Sequence, residues 1–179
     1  MAANDNWFFT LKLISALGCG LIAGVFFAFS SFVMSALGRI QPAQGIAAMQ
    51  SINIAVINPV FFAAFLGTAA LCCVLGVVSI SKWHTPGAPY VLAGCALYII
   101  GTFLVTCVFN VPMNDALATL KPSSAHAAAL WTDYLSNWTM WNHVRTVAAL
   151  AAAASITIGL CYRAPQPARQ LPAVHVTQR

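Results

Sequence analysis

The sequence predicts an all-α, polytopic membrane protein: a bundle of four transmembrane helices with short amphipathic helices at one mouth. Three observations predict it. Of 179 residues, 60% are hydrophobic and only 6% are charged, against about 25% charged in an average soluble domain. The apolar residues gather into four runs, each near the ~20 residues that cross a hydrocarbon core. Helices are the form such runs take, because a helix satisfies every backbone N–H and C=O within one segment.

The first span covers 13–37. Asp5 precedes it and Lys12 is the first basic residue, which is not the charge pattern of a secretory leader, so an uncleaved first helix is expected. Gly20 and Gly24 form a G-x-x-x-G within it, a spacing that lets helices approach closely. Next, Ile46, Met49, Ile52 and Val56 recur at helical spacing among Gln44, Gln50, Ser51 and Asn53. That pattern predicts a short amphipathic helix over the bundle mouth. The second span covers 59–81, with Asn58 as N-cap and Pro59 at the first helical position. The third covers 89–109, opened by the turn Thr85-Pro-Gly-Ala-Pro89, and Pro112 ends or kinks the helix beyond it. Residues 125–134 favour a second mouth helix, with Trp131 and Tyr134 as interfacial aromatics. The fourth span covers 141–162 and is dominated by alanine from Ala148 to Ala154. One membrane domain over 1–162 is expected, followed by a proline-rich cytoplasmic tail, 163–179, that reads as disordered.

Four spans put both termini on one side. That side carries Lys12, Lys82, Arg163, Arg169 and Arg179, against Arg39 and Lys121 on the other. The positive-inside rule then places both termini in the cytoplasm of a cell whose inner membrane holds the protein. The net charge of +5 comes from scattered residues that form no patch, which excludes a nucleic-acid partner. All six cysteines, Cys19, Cys72, Cys73, Cys95, Cys107 and Cys161, fall inside apolar runs. They read as small buried residues rather than a disulfide framework or a metal site.

The chemistry-bearing residues gather at the extracytoplasmic mouth. Arg145 is the charged residue that lies clearly inside an apolar span. A charge at membrane depth costs roughly 2.5–3.5 kcal/mol on insertion scales, so it has a partner or a task. Trp138, Trp141, Asn142 and Arg145 are spaced to share one helix face, and Thr146 follows Asn142 by four. His143 sits about 100° around from Asn142. Arg145 has two readings: an ion pair with Asp115 that locks spans three and four, or an anion receptor with a planar donor fork. His143 is either an interfacial histidine or a general base of near-neutral pKa. A two-histidine metal or haem site with His126 is the remaining alternative; no metal and no cofactor are expected. Asn110 and Asn114 flank Pro112, as caps of freed backbone groups or as amide donors lining a pocket. Ser30, Ser31, Asn53 and Asn58 are further candidate wall residues.

These residues carry a family resemblance. Pro42-Ala-Gln-Gly-Ile-Ala-Ala-Met-Gln-Ser-Ile-Asn53, Asn58-Pro-Val-Phe61, Phe109-Asn-Val-Pro-Met-Asn-Asp-Ala-Leu117 and Trp138-Thr-Met-Trp-Asn-His-Val-Arg-Thr146 together resemble the anthrone oxygenase-like membrane proteins. The resemblance covers roughly 13–162 and implies a four-helix membrane fold. It also implies oxidation of an anthrone-type aromatic ketone by O2, with no metal or flavin motif. It carries Asn110, Pro112, Asn114, Trp138, Asn142 and Arg145 over as site residues. The resemblance assigns no role to His143; the residues themselves allow a mechanism in which His143 abstracts a proton and Arg145, with Asn142, Asn110 or Asn114, stabilises the enolate. Trp138, Trp141 and Asn58 complete the walls, and the ligand is an apolar small molecule drawn from the bilayer. Two other classes stay open: a non-enzymatic binding or transport module for a lipid, quinone or hydrophobic metabolite, and a structural membrane partner. A homo-oligomer through the Gly20/Gly24 face is the assembly the sequence allows.

Overall fold

The computed structural model describes residues 2–124 and 126–162, with side chains from Asn6 onward. The tail expected over 163–179 lies outside the described residues. Helix α1 is continuous: α-helical over Ala2–Ala28, π-helical over Phe29–Val33, and α-helical again over Met34–Arg39. Helix α2 is Pro42–Ala55 and α3 is Pro59–Ser81. Helix α4 is Ala88–Ala118, with π-helical segments at Leu97–Leu104 and Thr106–Asn110. Helix α5 is Ala127–Cys161. Four of these, over Asn6–Arg39, Pro59–Ser81, Ala88–Ala118 and Ala127–Cys161, are long and apolar enough to cross a membrane. The chain is a multi-pass, all-helical membrane protein.

Around the bundle, α5 packs along α1 and α4, and α3 closes the ring against the same two helices. The core between them holds Cys19, Ile22, Cys72, Leu75, Tyr98 and Ile156. Close approach of α4 to α5 depends on small residues: a Cβ at Gly94 would meet the Ala152 carbonyl oxygen at 2.9 Å. Ala148, Ala149 and Ala152 are buried in that seam. The G-x-x-x-G of α1 does not serve this purpose. A Cβ at Gly20 or Gly24 meets nothing within 4 Å, whereas Gly18 abuts Thr68 of α3. The cysteines divide likewise: Cys19, Cys72 and Cys95 are buried, but Cys73, Cys107 and Cys161 are exposed. A four-helix bundle has few interior faces, so apolar residues also face the lipid.

Three spans are longer than hydropathy suggests. At 1.5 Å per residue, α3 is about 34 Å long and matches the membrane, while α1 and α5 run to roughly 50 Å and overshoot it. The overshoot lies at one end, where α2 folds over it. Met34, Ile46, Met49, Leu117, Ala127, Trp131, Tyr134 and Trp138 form a second core there. Two features at this end differ from the sequence reading. Of the mouth helix expected over 125–134, Ala125 lies outside the described residues, and from Ala127 onward the chain is the start of α5 rather than a separate helix, with Trp131 and Tyr134 packed inside the cap. Pro112 does not end α4 either. It falls at the start of Val111–Ala118, directly after the π-helical Thr106–Asn110. The altered turn accommodates the N–H that proline lacks.

Candidate functional site

Arg145 lies about halfway along α5 and is 4% exposed. Its depth follows from its neighbours. The guanidinium sits 4.1 Å over the Phe26 ring, and Phe26 meets Phe65, in the second turn of α3, at 6.3 Å edge to face. The charge is therefore inside the bundle, a turn or two below the capped end. A second aromatic face, Trp138, lies 5.0 Å from it.

The polar partners come from three helices. Arg145 Nη2 donates to Asn142 Oδ1 at 2.6 Å, and Nη1 donates to Thr106 Oγ1 at 3.3 Å. The Asn142 amide donates to the Phe26 carbonyl and to Ser30 Oγ, both at 2.7 Å. Ser30 also bonds Thr146 at 3.1 Å. Since Thr146 gives its proton to the Asn142 carbonyl, the Ser30 hydroxyl is the donor to Thr146. One turn toward the cap, Asn114 Oδ1 accepts from Tyr134 Oη and Trp138 Nε1, each at 2.8 Å. Asn110 donates to the Trp138 carbonyl at 3.3 Å. Among the described residues, three buried atoms find no partner: Arg145 Nε, Asn110 Oδ1 and Asn53 Nδ2. Two of them, on Arg145 and Asn110, flank Trp138.

Asn110, Asn114, Trp138, Asn142 and Arg145 thus converge around one buried cation. The expected ion pair does not form. Asp115 is exposed, and no acidic side chain is a partner of Arg145 among the described residues. Asn114 faces α5, which turns Asp115, about 100° further around α4, away from it. His143 also stands apart. It is exposed on the opposite side of α5, where it lines a groove with Ser30, Met34, Arg39 and Met140. Trp141 is half-buried and stacks on Phe109 at 3.5 Å. Asn58 is the N-cap of α3, accepting from Phe61 N at 2.9 Å. Ser31 turns back to the Phe27 carbonyl at 2.7 Å and is exposed.

Sequence reasoning missed Phe26, Thr106 and Tyr134 as members of the site. Nothing local marks them, because their role depends on which faces of α1, α4 and α5 meet. The sequence profile of the anthrone oxygenase family matches residues 60–155, a segment that contains every α4 and α5 residue of this cluster. The chain belongs to the anthrone oxygenase family. No curated protein and no solved structure matches it. In this anthrone oxygenase family member the matched segment ends before the end of α5 and begins after α1 and α2. Phe26 and Ser30 therefore complete the site from outside it.

Proposed function

We propose that this protein oxidises an apolar aromatic ketone of the anthrone type with O2, using the buried Arg145 as the receptor for the enolate oxygen. The observation that carries the reading is a guanidinium 4% exposed that has no carboxylate partner among the described residues. A membrane-buried cation without a counter-ion is an expensive arrangement, and an anionic ligand relieves it. The flanking Phe26 and Trp138 faces suit a flat polycyclic anion, and the unpartnered Arg145 Nε is a free donor for its oxygen.

The chemistry needs little more. An anthrone carries an acidic CH2 across the central ring from its carbonyl. Loss of one proton gives an electron-rich aromatic enolate, which Arg145 stabilises as charge develops on oxygen. The enolate carbon bonds O2, and the resulting hydroperoxide loses water. In balance, CH2 plus O2 becomes C=O plus H2O. The base has to reach the ring carbon opposite the carbonyl. His143 is the base in this reading: it is exposed on the groove side of α5, away from Arg145, where the part of a ligand remote from the guanidinium can meet an imidazole.

The reading is tested without turnover. Anthrone added under nitrogen to the protein in lipid nanodiscs should give a red-shifted enolate absorption band that discharges when air is admitted. Arg145→Gln should abolish the band. A band of equal intensity in Arg145→Gln would place the enolate elsewhere.

A further inference from the structure

A receptor this buried needs a way in, and Ser30 and Asn142 link it to the surface of the bundle. A groove of about 610 Å³ runs between the capped-end thirds of α1 and α5, lined by Ser30, Met34 and Arg39 on one side and Ser136, Met140 and His143 on the other. Its volume is within the roughly 300–1,000 Å³ of small-molecule sites. Its apolar walls include two methionines, which pack adaptably against aromatic rings. Ser30 belongs to both compartments: it lines the groove, and its Oγ holds the Asn142 amide that supports Arg145. Ser30 also lies in the π-helical segment Phe29–Val33. Backbone of this kind inside an α-helix frequently marks a functional site. Phe29, the first residue of that segment, packs on Trp138 at 5.6 Å.

We propose that the α1/α5 groove is the binding vestibule through which a flat apolar ketone passes sideways from the lipid to Arg145, with Ser30 as the contact it displaces. The inference rests on the function proposed above. The ketone slides between Met34 and Met140 and its carbonyl oxygen reaches Ser30. The hydroxyl, which bonds Thr146 at 3.1 Å, turns to donate to that oxygen. Asn142 and Arg145 lie directly behind. In the same pose the far end of the central ring remains in the groove, on whose wall His143 stands. Groove and buried cluster thus supply the base and the anion receptor from the two faces of α5.

The test is to obstruct the groove after folding. Ser136, exposed on the groove wall, is changed to cysteine in a background where the exposed Cys73, Cys107 and Cys161 are serine. The folded protein in nanodiscs is then labelled with either a methylthio group or a bulky maleimide. Binding of 1,8-dihydroxyanthraquinone is followed by stopped-flow quenching of tryptophan fluorescence. The vestibule predicts association at least tenfold slower with the bulky label and within twofold of unlabelled with the small one. Unchanged association with the bulky label overturns the vestibule while leaving the Arg145 site standing. Quenching that survives Arg145→Gln but falls with the bulky label overturns passage to Arg145, because the groove is then the endpoint. No quenching in the unlabelled protein overturns both readings.

Discussion

Replacing Arg145 with methionine separates a ligand-binding cation from a structural lock. The substitution removes a buried charge, whose burial costs roughly 2.5–3.5 kcal/mol on insertion scales. It also removes the bond to Asn142 Oδ1 at 2.6 Å and the stacking over Phe26 at 4.1 Å. A hydrogen bond to a charged group contributes about 1.5–3 kcal/mol, and a desolvated cation–π contact about 2 kcal/mol. The opposing contributions largely cancel, so Arg145→Met should lose no more than about 2.5 kcal/mol of stability relative to wild type. Breaking a true buried ion pair behaves differently, costing about 3–5 kcal/mol because a charge is left uncompensated. Reversible unfolding in mixed SDS–detergent micelles measures the difference, and dihydroxyanthraquinone quenching measures binding in the same preparation. The expected outcome is near-native stability with binding lost. A loss of about 4 kcal/mol or more with binding retained would refute the reasoning and make Arg145 a structural keystone.

Further outcomes follow from the neighbouring residues. Asn114→Leu leaves the Tyr134 hydroxyl and the Trp138 indole N–H without the acceptor they share. At about 1–3 kcal/mol per stranded group, it should destabilise the capped end by roughly 2–6 kcal/mol, whereas Asn114→Asp, which keeps the acceptor, should lose less than half as much in the same unfolding assay. His143→Gln should lower anthrone turnover by about 10²-fold or more while leaving dihydroxyanthraquinone affinity within twofold, as measured by steady-state kinetics beside equilibrium quenching. Equal losses in both readouts would assign His143 to binding rather than proton transfer.

The membrane fold is legible in the sequence because hydropathy alone marks four segments that only helices can carry across a bilayer. The ends of those segments are not legible. Trp131 and Tyr134 look like belt aromatics, yet they are 2% and 7% exposed, since they pack into the core of the capped end with Ile46 and Met49 of α2. That burial depends on tertiary packing, which no local window contains. The site divides along the same line. Asn142 and Arg145 are readable as partners because they sit one turn apart on one helix. Phe26, Ser30 and Thr106 join them only through the rotation of α1 and α4 about their axes, which the π-helical segments Phe29–Val33 and Thr106–Asn110 help to set. The Asp115–Arg145 pair illustrates the limit. Opposite charges on adjacent helices invite pairing, but Asn114 takes the inward face and Asp115 is left exposed.

The most direct measurement is oxygen uptake by the protein in nanodiscs supplied with anthrone in air, corrected for protein-free nanodiscs, in wild type and in Arg145→Gln. The account predicts one O2 consumed per anthrone converted, and a rate lower by about 10²-fold in Arg145→Gln, the size of effect seen when a single oxyanion donor is removed. Wild-type uptake no faster than the protein-free control, or an Arg145→Gln rate equal to wild type, would contradict it.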